Sequence, residues 1–157
     1  MQKANSFKTL QLLHVALLFG QIVFVAIAVF LKMYSAILPV FAKYDKAIQV
    51  IVLLYSATVS YVGIQVYFKN KIYGIRDTGA TIAEKFTVYK KANVVLWICI
   101  ESASIISTLC FLLVGNYAFI ALAITLIFLF AIMGVNKAKL MLLLKFTEVD
   151  IAQINSN

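Results

Sequence analysis

The chain has 157 residues, of which 64% are hydrophobic and 13% are charged, and its mean hydropathy is +0.99. The charged fraction is about half that of an ordinary soluble domain, which excludes a disordered chain and argues against a water-soluble one. Basic residues outnumber acidic ones by 14 to 6, a formal net charge of +8. In so apolar a chain this excess indicates basic flanks of membrane spans, and with Arg76 as the only arginine we expect no nucleic-acid binding.

Charged residues divide the chain into four predicted spans. Two uncharged runs each match the roughly 20 residues that cross a bilayer. A third run, between Lys91 and Lys137, contains a single charge, Glu101, and is too long for one span. Gly115 and Asn116 near its middle can form a tight turn, so we divide this run into two spans. The predicted spans are 9–31, 47–68, 92–114 and 117–135, followed by a tail at 137–157, and together they form one all-α transmembrane domain over 1–157.

Two local signals predict where helices begin outside these spans. Thr81 and Glu84 fit a capping box, which predicts that the third helix begins near Ile82. Thr147 fits the N-cap of a short last helix in the tail. We expect the residues between the fourth span and Thr147 to continue the fourth helix.

The basic residues are divided unequally between the two ends of such a bundle. With four spans, the side that carries both termini holds eleven of them, and the opposite side holds three. This bias predicts that both termini are cytoplasmic, in a multi-pass protein of the cell membrane, taken here as a bacterial inner membrane. The eleven are Lys3, Lys8, Lys69, Lys71, Arg76, Lys85, Lys90, Lys91, Lys137, Lys139 and Lys145; the three are Lys32, Lys43 and Lys46.

Glu101 is the one charged residue predicted inside a span. It follows Asn93 by eight residues, which places it about 12 Å into the membrane, near the middle of a hydrocarbon core about 30 Å thick. An ionised carboxylate at that depth costs roughly 3 kcal/mol or more, so the side chain must be protonated, paired or hydrated. Two interpretations stay open: a functional group that titrates, or a neutral side chain that hydrogen bonds to a neighbouring helix.

Polar side chains in other parts of the bundle are expected to lie near this glutamate. Ser104 and Thr108 share its helical face, and His14 and Gln21 lie on one stripe of the first span at depths that bracket it. We therefore predict a polar cluster in the cytoplasmic half of the bundle, with His14 as the best partner of Glu101. The predicted members are Glu101, His14, Gln21, Ser60, Ser104 and Thr108.

No pattern typical of an enzyme or metal site is present in the sequence. There is one histidine, and the acidic residues are spread along the chain, so no metal-ligand spacing occurs. Neither a Ser/His/Asp set nor a phosphate-binding loop is found. Cys99 and Cys110 would lie about 16 Å apart on one helix, too far for a disulfide. We expect no enzyme activity, no catalytic residue and no cofactor.

The second half of the chain resembles small uncharacterised bacterial four-span membrane proteins, in which a basic and aromatic helix start leads into an apolar run with one glutamate followed by small residues. The matching segments here are Lys85-Phe86-Thr87-Val88-Tyr89-Lys90-Lys91 and Ile100-Glu101-Ser102-Ala103-Ser104. Over 100–109 the chain is also similar to proteolipid subunits of rotary ATPases, which implies a proton-binding role for Glu101. The glycine-rich inner helices of those rings have no counterpart, because this chain has six glycines.

Two classes of function follow from these observations. The first is a non-enzymatic structural or accessory membrane protein, in which Glu101 holds helices together. The second is a proton-linked or small-ligand transport or binding protein, in which Glu101 titrates. In both cases the expected partners are the lipid bilayer and either a second copy of the chain or another membrane protein.

Overall fold

A computed structural model of the chain describes residues 6–34 and 40–156, and every regular element in these two ranges is helical. Seven α-helices are connected by turns, and one π-helical segment continues directly from α2 into α3. The elements are α1 (Ser6–Tyr34), a 3-10 turn (Ala42–Tyr44), α2 (Asp45–Tyr61), the π segment (Val62–Lys69), α3 (Asn70–Arg76), α4 (Ile82–Val114), α5 (Ala118–Ile132), α6 (Lys137–Leu144) and α7 (Glu148–Ser156).

Three helical stretches of the described chain are long and apolar enough to cross a membrane. They are Phe7–Tyr34, Ala42–Arg76 and Ile82–Val114. The pair α5 and α6 also passes this test when taken together, although the two helices are bent by 71°. The chain is therefore a helical protein with three such helices, or four if α5 and α6 form one span. The length and apolar composition of these helices agree with the expected class of membrane protein.

Helix α4 is the central element of the bundle, because α1, α2, α3 and α5 all pack against it. Its beginning and end are set by local chemistry. Thr81 and Glu84 form the predicted capping box, with Thr81 N donating to the Glu84 carboxylate at 2.9 Å. Gly115 ends the helix in the left-handed conformation at φ 83°, which a glycine adopts without steric cost. Both predictions, the start near Ile82 and the tight turn at Gly115, are confirmed.

A single stripe of α1 faces the rest of the protein. The buried positions recur at helical spacing, so that one side of the helix packs inward and the other stays exposed. Two polar side chains, His14 and Gln21, belong to this inward stripe. The stripe consists of Phe7, Leu10, His14, Gln21, Val25 and Ala28.

The helix that begins at Asp45 approaches α4 closely at the start of the π segment. A Cβ atom on Gly63 would lie 3.1 Å from Cys99 Cβ, so the absence of a side chain permits this approach. The backbone then widens to i→i+5 hydrogen bonding over Val62–Lys69. The predicted second span at 47–68 lies within this continuous helical stretch.

The chain bends sharply after α5, and the expectation that the following residues continue the fourth helix is wrong. Gly134 lies in the non-helical stretch, and Asn136 Oδ1 then accepts a hydrogen bond from Ala138 N at 3.1 Å and begins α6. The bend lets the fully buried Leu140 and Leu144 of α6 join the core cluster that contains Ile72 of α3. We call the residues from Phe130 to Asn136 the elbow.

The last helix begins as predicted. Thr147 N donates to the Asp150 carboxylate at 2.8 Å, and Thr147 Oγ1 accepts from Asp150 N at 3.3 Å. The stretch between α3 and α4 is joined to this tail by an ion pair, with Lys145 Nζ 2.7 Å from the Asp77 carboxylate. Hydrogen bonding from Lys145, and secondly from Arg76, lowers the pKa of Asp77 from its usual value.

Candidate functional site

Two of the predicted cluster residues lie together between α1 and α4. Gln21 and Glu101 line a cavity of about 130 Å³, with Gly20, Phe24 and Ile105 completing its walls. The two side chains come from α1 and α4, and both were members of the predicted polar cluster. We call this cavity the α1–α4 cavity.

The polar atoms in the α1–α4 cavity lack protein partners. Gln21 is only 3% exposed, yet neither its amide nitrogen nor its amide oxygen has a hydrogen-bond partner. Glu101 is half-buried and makes no hydrogen bond or ion pair with any described residue. A buried amide without a partner is costly, and more so where no bulk water is near. The cavity therefore presents one amide and one carboxyl group to whatever fills it.

The wall of the cavity on the α1 side is open to the approach of another helix. Gly20 is exposed, and a Cβ atom built on it would meet no heavy atom within 4 Å. A helix backbone without a side chain permits another helix to come close within a membrane. Gln21 and Glu101 thus lie beside Gly20, a position of α1 where no side chain blocks the approach of another helix.

His14 lies at a different place from Glu101. Its Nε2 donates to the backbone oxygen of Phe130 at 3.0 Å, and its ring stacks on Phe130 with centroids 4.7 Å apart. The Trp97 ring lies 4.9 Å away on a tilted plane. No hydrogen bond or ion pair joins His14 to Glu101 among the described residues. The histidine therefore belongs to the elbow and not to the cavity.

Side chains from three helices satisfy the backbone carbonyl groups that the elbow leaves without helical partners. Gln11 donates to Val135 O at 3.2 Å, and Trp97 donates to Met133 O at 3.2 Å. Lys139 donates to the oxygens of Ile132 and Gly134. Irregular backbone at membrane depth is stable only when such partners exist. Together with His14, these donors form a complete C-terminal cap for α5.

Sequence reasoning missed the elbow, although two signals point to it. Gly134 lies near the end of the apolar run of the fourth span, and Asn136 directly after that run is a strong helix N-cap. Gln11 and His14 are donors spaced three residues apart on the buried side of α1. The carbonyl acceptors belong to the backbone and leave no trace in the sequence pattern.

The remaining predicted members are buried at other points of the bundle. Ser104 and Thr108 lie on the inner face of α4, where Thr108 Oγ1 donates to Ser104 O at 2.9 Å within the helix. Ser60 of α2 is buried and its hydroxyl has no partner; the same holds for Ser56 one turn earlier. The structure therefore brings Glu101 and Gln21 to one cavity and distributes His14, Ser60, Ser104 and Thr108 elsewhere.

The fold and this cavity define a class: a helical protein with helices fit to cross a membrane and an unpartnered amide and carboxyl pair between two of them. In the part of the chain that the structure describes, no group of three His, Cys, Asp or Glu residues is placed to hold a metal ion. Comparison with protein-family models, curated proteins and solved structures finds no match to this chain.

Proposed function

We propose that this chain is a non-enzymatic, four-span membrane protein of structural or accessory type that pairs with a second copy of itself through the α1–α4 cavity. In this proposal α5 and α6 together serve as the fourth span, and both termini are cytoplasmic. The eleven-to-three division of basic residues supports that orientation.

The observation that carries the proposal is the unpartnered amide of Gln21. This side chain is almost completely buried and has no hydrogen bond, and the Glu101 carboxyl group beside it has none either. In a bilayer these groups gain stability from a polar partner on a neighbouring helix. A single copy leaves the half-buried Glu101 carboxyl group facing hydrocarbon without a polar partner.

A second copy supplies the chemistry that each cavity lacks. An amide both donates and accepts hydrogen bonds, and a carboxyl group accepts them or, when protonated, also donates. Two copies that stand parallel in a membrane place Gln21 and Glu101 at the same depth, so a twofold axis can pair each group with its complement. Gly20 permits the two α1 helices to approach closely.

The test is the dissociation constant of the pair, measured by energy transfer between differently labelled copies in lipid bilayers. Because a hydrogen bond between helices in a membrane contributes about 1–2 kcal/mol and the twofold pair contains two of them, we expect Glu101→Leu to weaken pairing by about 30- to 900-fold. Gly20→Leu should weaken it by obstructing the approach, and Glu101→Gln should retain it.

The control is Ala26→Leu, which creates a leucine at an exposed position on another side of α1. It should pair like the unmodified protein. A monomeric unmodified protein, or equal pairing by Glu101→Leu and Ala26→Leu, overturns the proposal.

A second candidate function is proton-linked binding or transport at Glu101. It is favoured by the size of the cavity, about 130 Å³, which is room for a few water molecules beside the carboxyl group. A hydrated carboxyl group exchanges protons, and carbodiimides modify only the protonated form. Fast labelling of Glu101 that declines as the pH rises supports this function, and no labelling at any pH in folded protein contradicts it.

A further inference from the structure

A second surface feature lies where α4 enters its membrane-spanning part. An open groove of about 500 Å³ runs between the π segment and the first turns of α4. Aromatic and aliphatic side chains form its walls, and two lysines stand midway along its α4 side. The groove is lined by Tyr67, Phe86, Lys90, Lys91, Val94 and Val95, among others.

The two lysines of this groove carry uncompensated charge. Lys90 and Lys91 are exposed and make no hydrogen bond or ion pair with any residue that the structure describes. Other lysines at the same end of the bundle are engaged: Lys85 donates to Arg76 O at 2.8 Å, and Lys145 pairs with Asp77. The groove is therefore lined by two lysines whose ammonium groups have no partner among the described residues.

The apolar part of the groove lies deeper along the same helix. Val94 and Val95 follow Lys90 and Lys91 by four residues each, which places the valines about 6 Å further into the span. Tyr67 is half-buried on the facing π segment, and amphipathic tyrosine side chains favour the membrane interface. Phe86 and Thr87 line the groove one turn before the lysines. Positive charge followed by apolar surface one turn further along α4 matches the order of headgroup and acyl chain in a phospholipid.

We propose that this groove binds one phospholipid with an anionic headgroup. Its phosphate lies between the ammonium groups of Lys90 and Lys91, and one acyl chain runs along Val94 and Val95. This inference is independent of pairing at the α1–α4 cavity, because the groove uses different residues on α4. It is also independent of orientation, since the lysines lie at the membrane boundary in either case.

The experiment is a lipid titration of the purified full chain in detergent, followed by native mass spectrometry. Phosphatidylglycerol and phosphatidylcholine with identical acyl chains are compared, and the anionic lipid should bind more tightly. A basic side chain near an anionic lipid is worth about a fivefold factor, so the double variant K90Q/K91Q should weaken phosphatidylglycerol binding by about 30-fold.

The matched control is K8Q/K71Q. It removes the same charge from two exposed lysines at the same end of the bundle that lie outside the groove. It should bind the lipid within about threefold of the unmodified chain, because only nonspecific attraction is lost. Equal losses in K90Q/K91Q and K8Q/K71Q overturn the proposal, since the effect is then one of net charge alone.

A second variant tests the apolar half without changing charge. Val95→Trp fills the groove below the lysines and should also release the lipid, with helix content checked by circular dichroism. Unimpaired binding by folded Val95→Trp overturns the acyl-chain placement. Displacement of the lipid by millimolar inorganic phosphate as effectively as by phosphatidylglycerol also overturns it, because the site then recognises phosphate alone.

Discussion

Replacement of His14 is expected to loosen the elbow in a graded manner. The His14 ring makes one hydrogen bond, to Phe130 O, and two ring contacts, to Phe130 and Trp97. His14→Ala removes all three interactions. His14→Phe keeps an aromatic ring in the same place and removes only the hydrogen bond. The two variants therefore separate packing from capping.

The size of each loss follows from these contacts. Hydrogen bonds between helices in a bilayer contribute about 0.6 kcal/mol on average, so His14→Phe should lower the free energy of unfolding by about that amount. Aromatic contacts of this geometry add about 0.5–1.5 kcal/mol each. His14→Ala should therefore lower it by about 1.5–3.5 kcal/mol.

The assay is reversible unfolding in mixed micelles by increasing SDS, followed by far-ultraviolet circular dichroism. Trp97 is the only tryptophan of the chain and lies against His14, so its fluorescence reports separately on the elbow. Equal losses from His14→Ala and His14→Phe would refute the assignment of most of the energy to ring packing. An unchanged transition and unchanged fluorescence in His14→Ala would refute its role at the elbow altogether.

Three further perturbations test other contacts of the fold. Asn116→Ala removes hydrogen bonds of 2.8 and 3.0 Å to the Asp45 carboxylate and the bond that Asn116 Oδ1 accepts from Ala118 N, and should cost about 2.5 kcal/mol. Gly63→Leu should cost about 1–3 kcal/mol by overpacking against α4. Asp77 has a lowered pKa in the folded state, chiefly through its hydrogen bond with Lys145. The contribution of Asp77 to the free energy of unfolding is therefore complete above pH 3.8, its usual pKa, and is lost as the pH falls through the lowered pKa. Asp77→Asn should abolish this part of the acid dependence.

Each of these predictions has an internal control in the same unfolding assay. Asp45→Ala in the Asn116→Ala background should add little, and fully additive losses would show that the two side chains do not interact. Gly74→Leu should be tolerated, because a Cβ atom on Gly74 meets nothing within 4 Å. Equal losses at both glycines would contradict the packing argument. An acid loss that persists in Asp77→Asn would assign it to other carboxyl groups.

The features that sequence predicted well depend on neighbouring residues. Thr81 with Glu84, and Thr147 with Asp150, satisfy free amides within one turn, so their residue types identify helix starts. Gly115 could be recognised because few other residues adopt a positive φ. The proximity of Gln21 and Glu101 followed from counting the rise of each helix from its charged end.

The features that sequence missed depend on backbone atoms of distant segments. His14 was expected to approach Glu101, but its ring donates to the Phe130 carbonyl group. Where α5 ends, that carbonyl group accepts from Met133 N, and Gly134 N bonds to Ala131 O. The π segment likewise keeps the same apolar residues as an α-helix would, so its wider backbone cannot be recognised by composition. Hydrophobic periodicity predicts which apolar residues lie on one helical face. It does not predict where the backbone hydrogen bonds of a helix are interrupted.

The early end of α5 has a consequence for the kind of bilayer that suits this protein. With 15 residues, α5 is about 22 Å long, whereas α4 has 33 residues and is about 50 Å long. A hydrocarbon core about 30 Å thick therefore exceeds the length of α5. Hydrophobic mismatch of this kind is relieved when the membrane thins locally. We expect the protein to be most stable in thin bilayers. In thicker bilayers, lipids with shorter acyl chains should be enriched around α5.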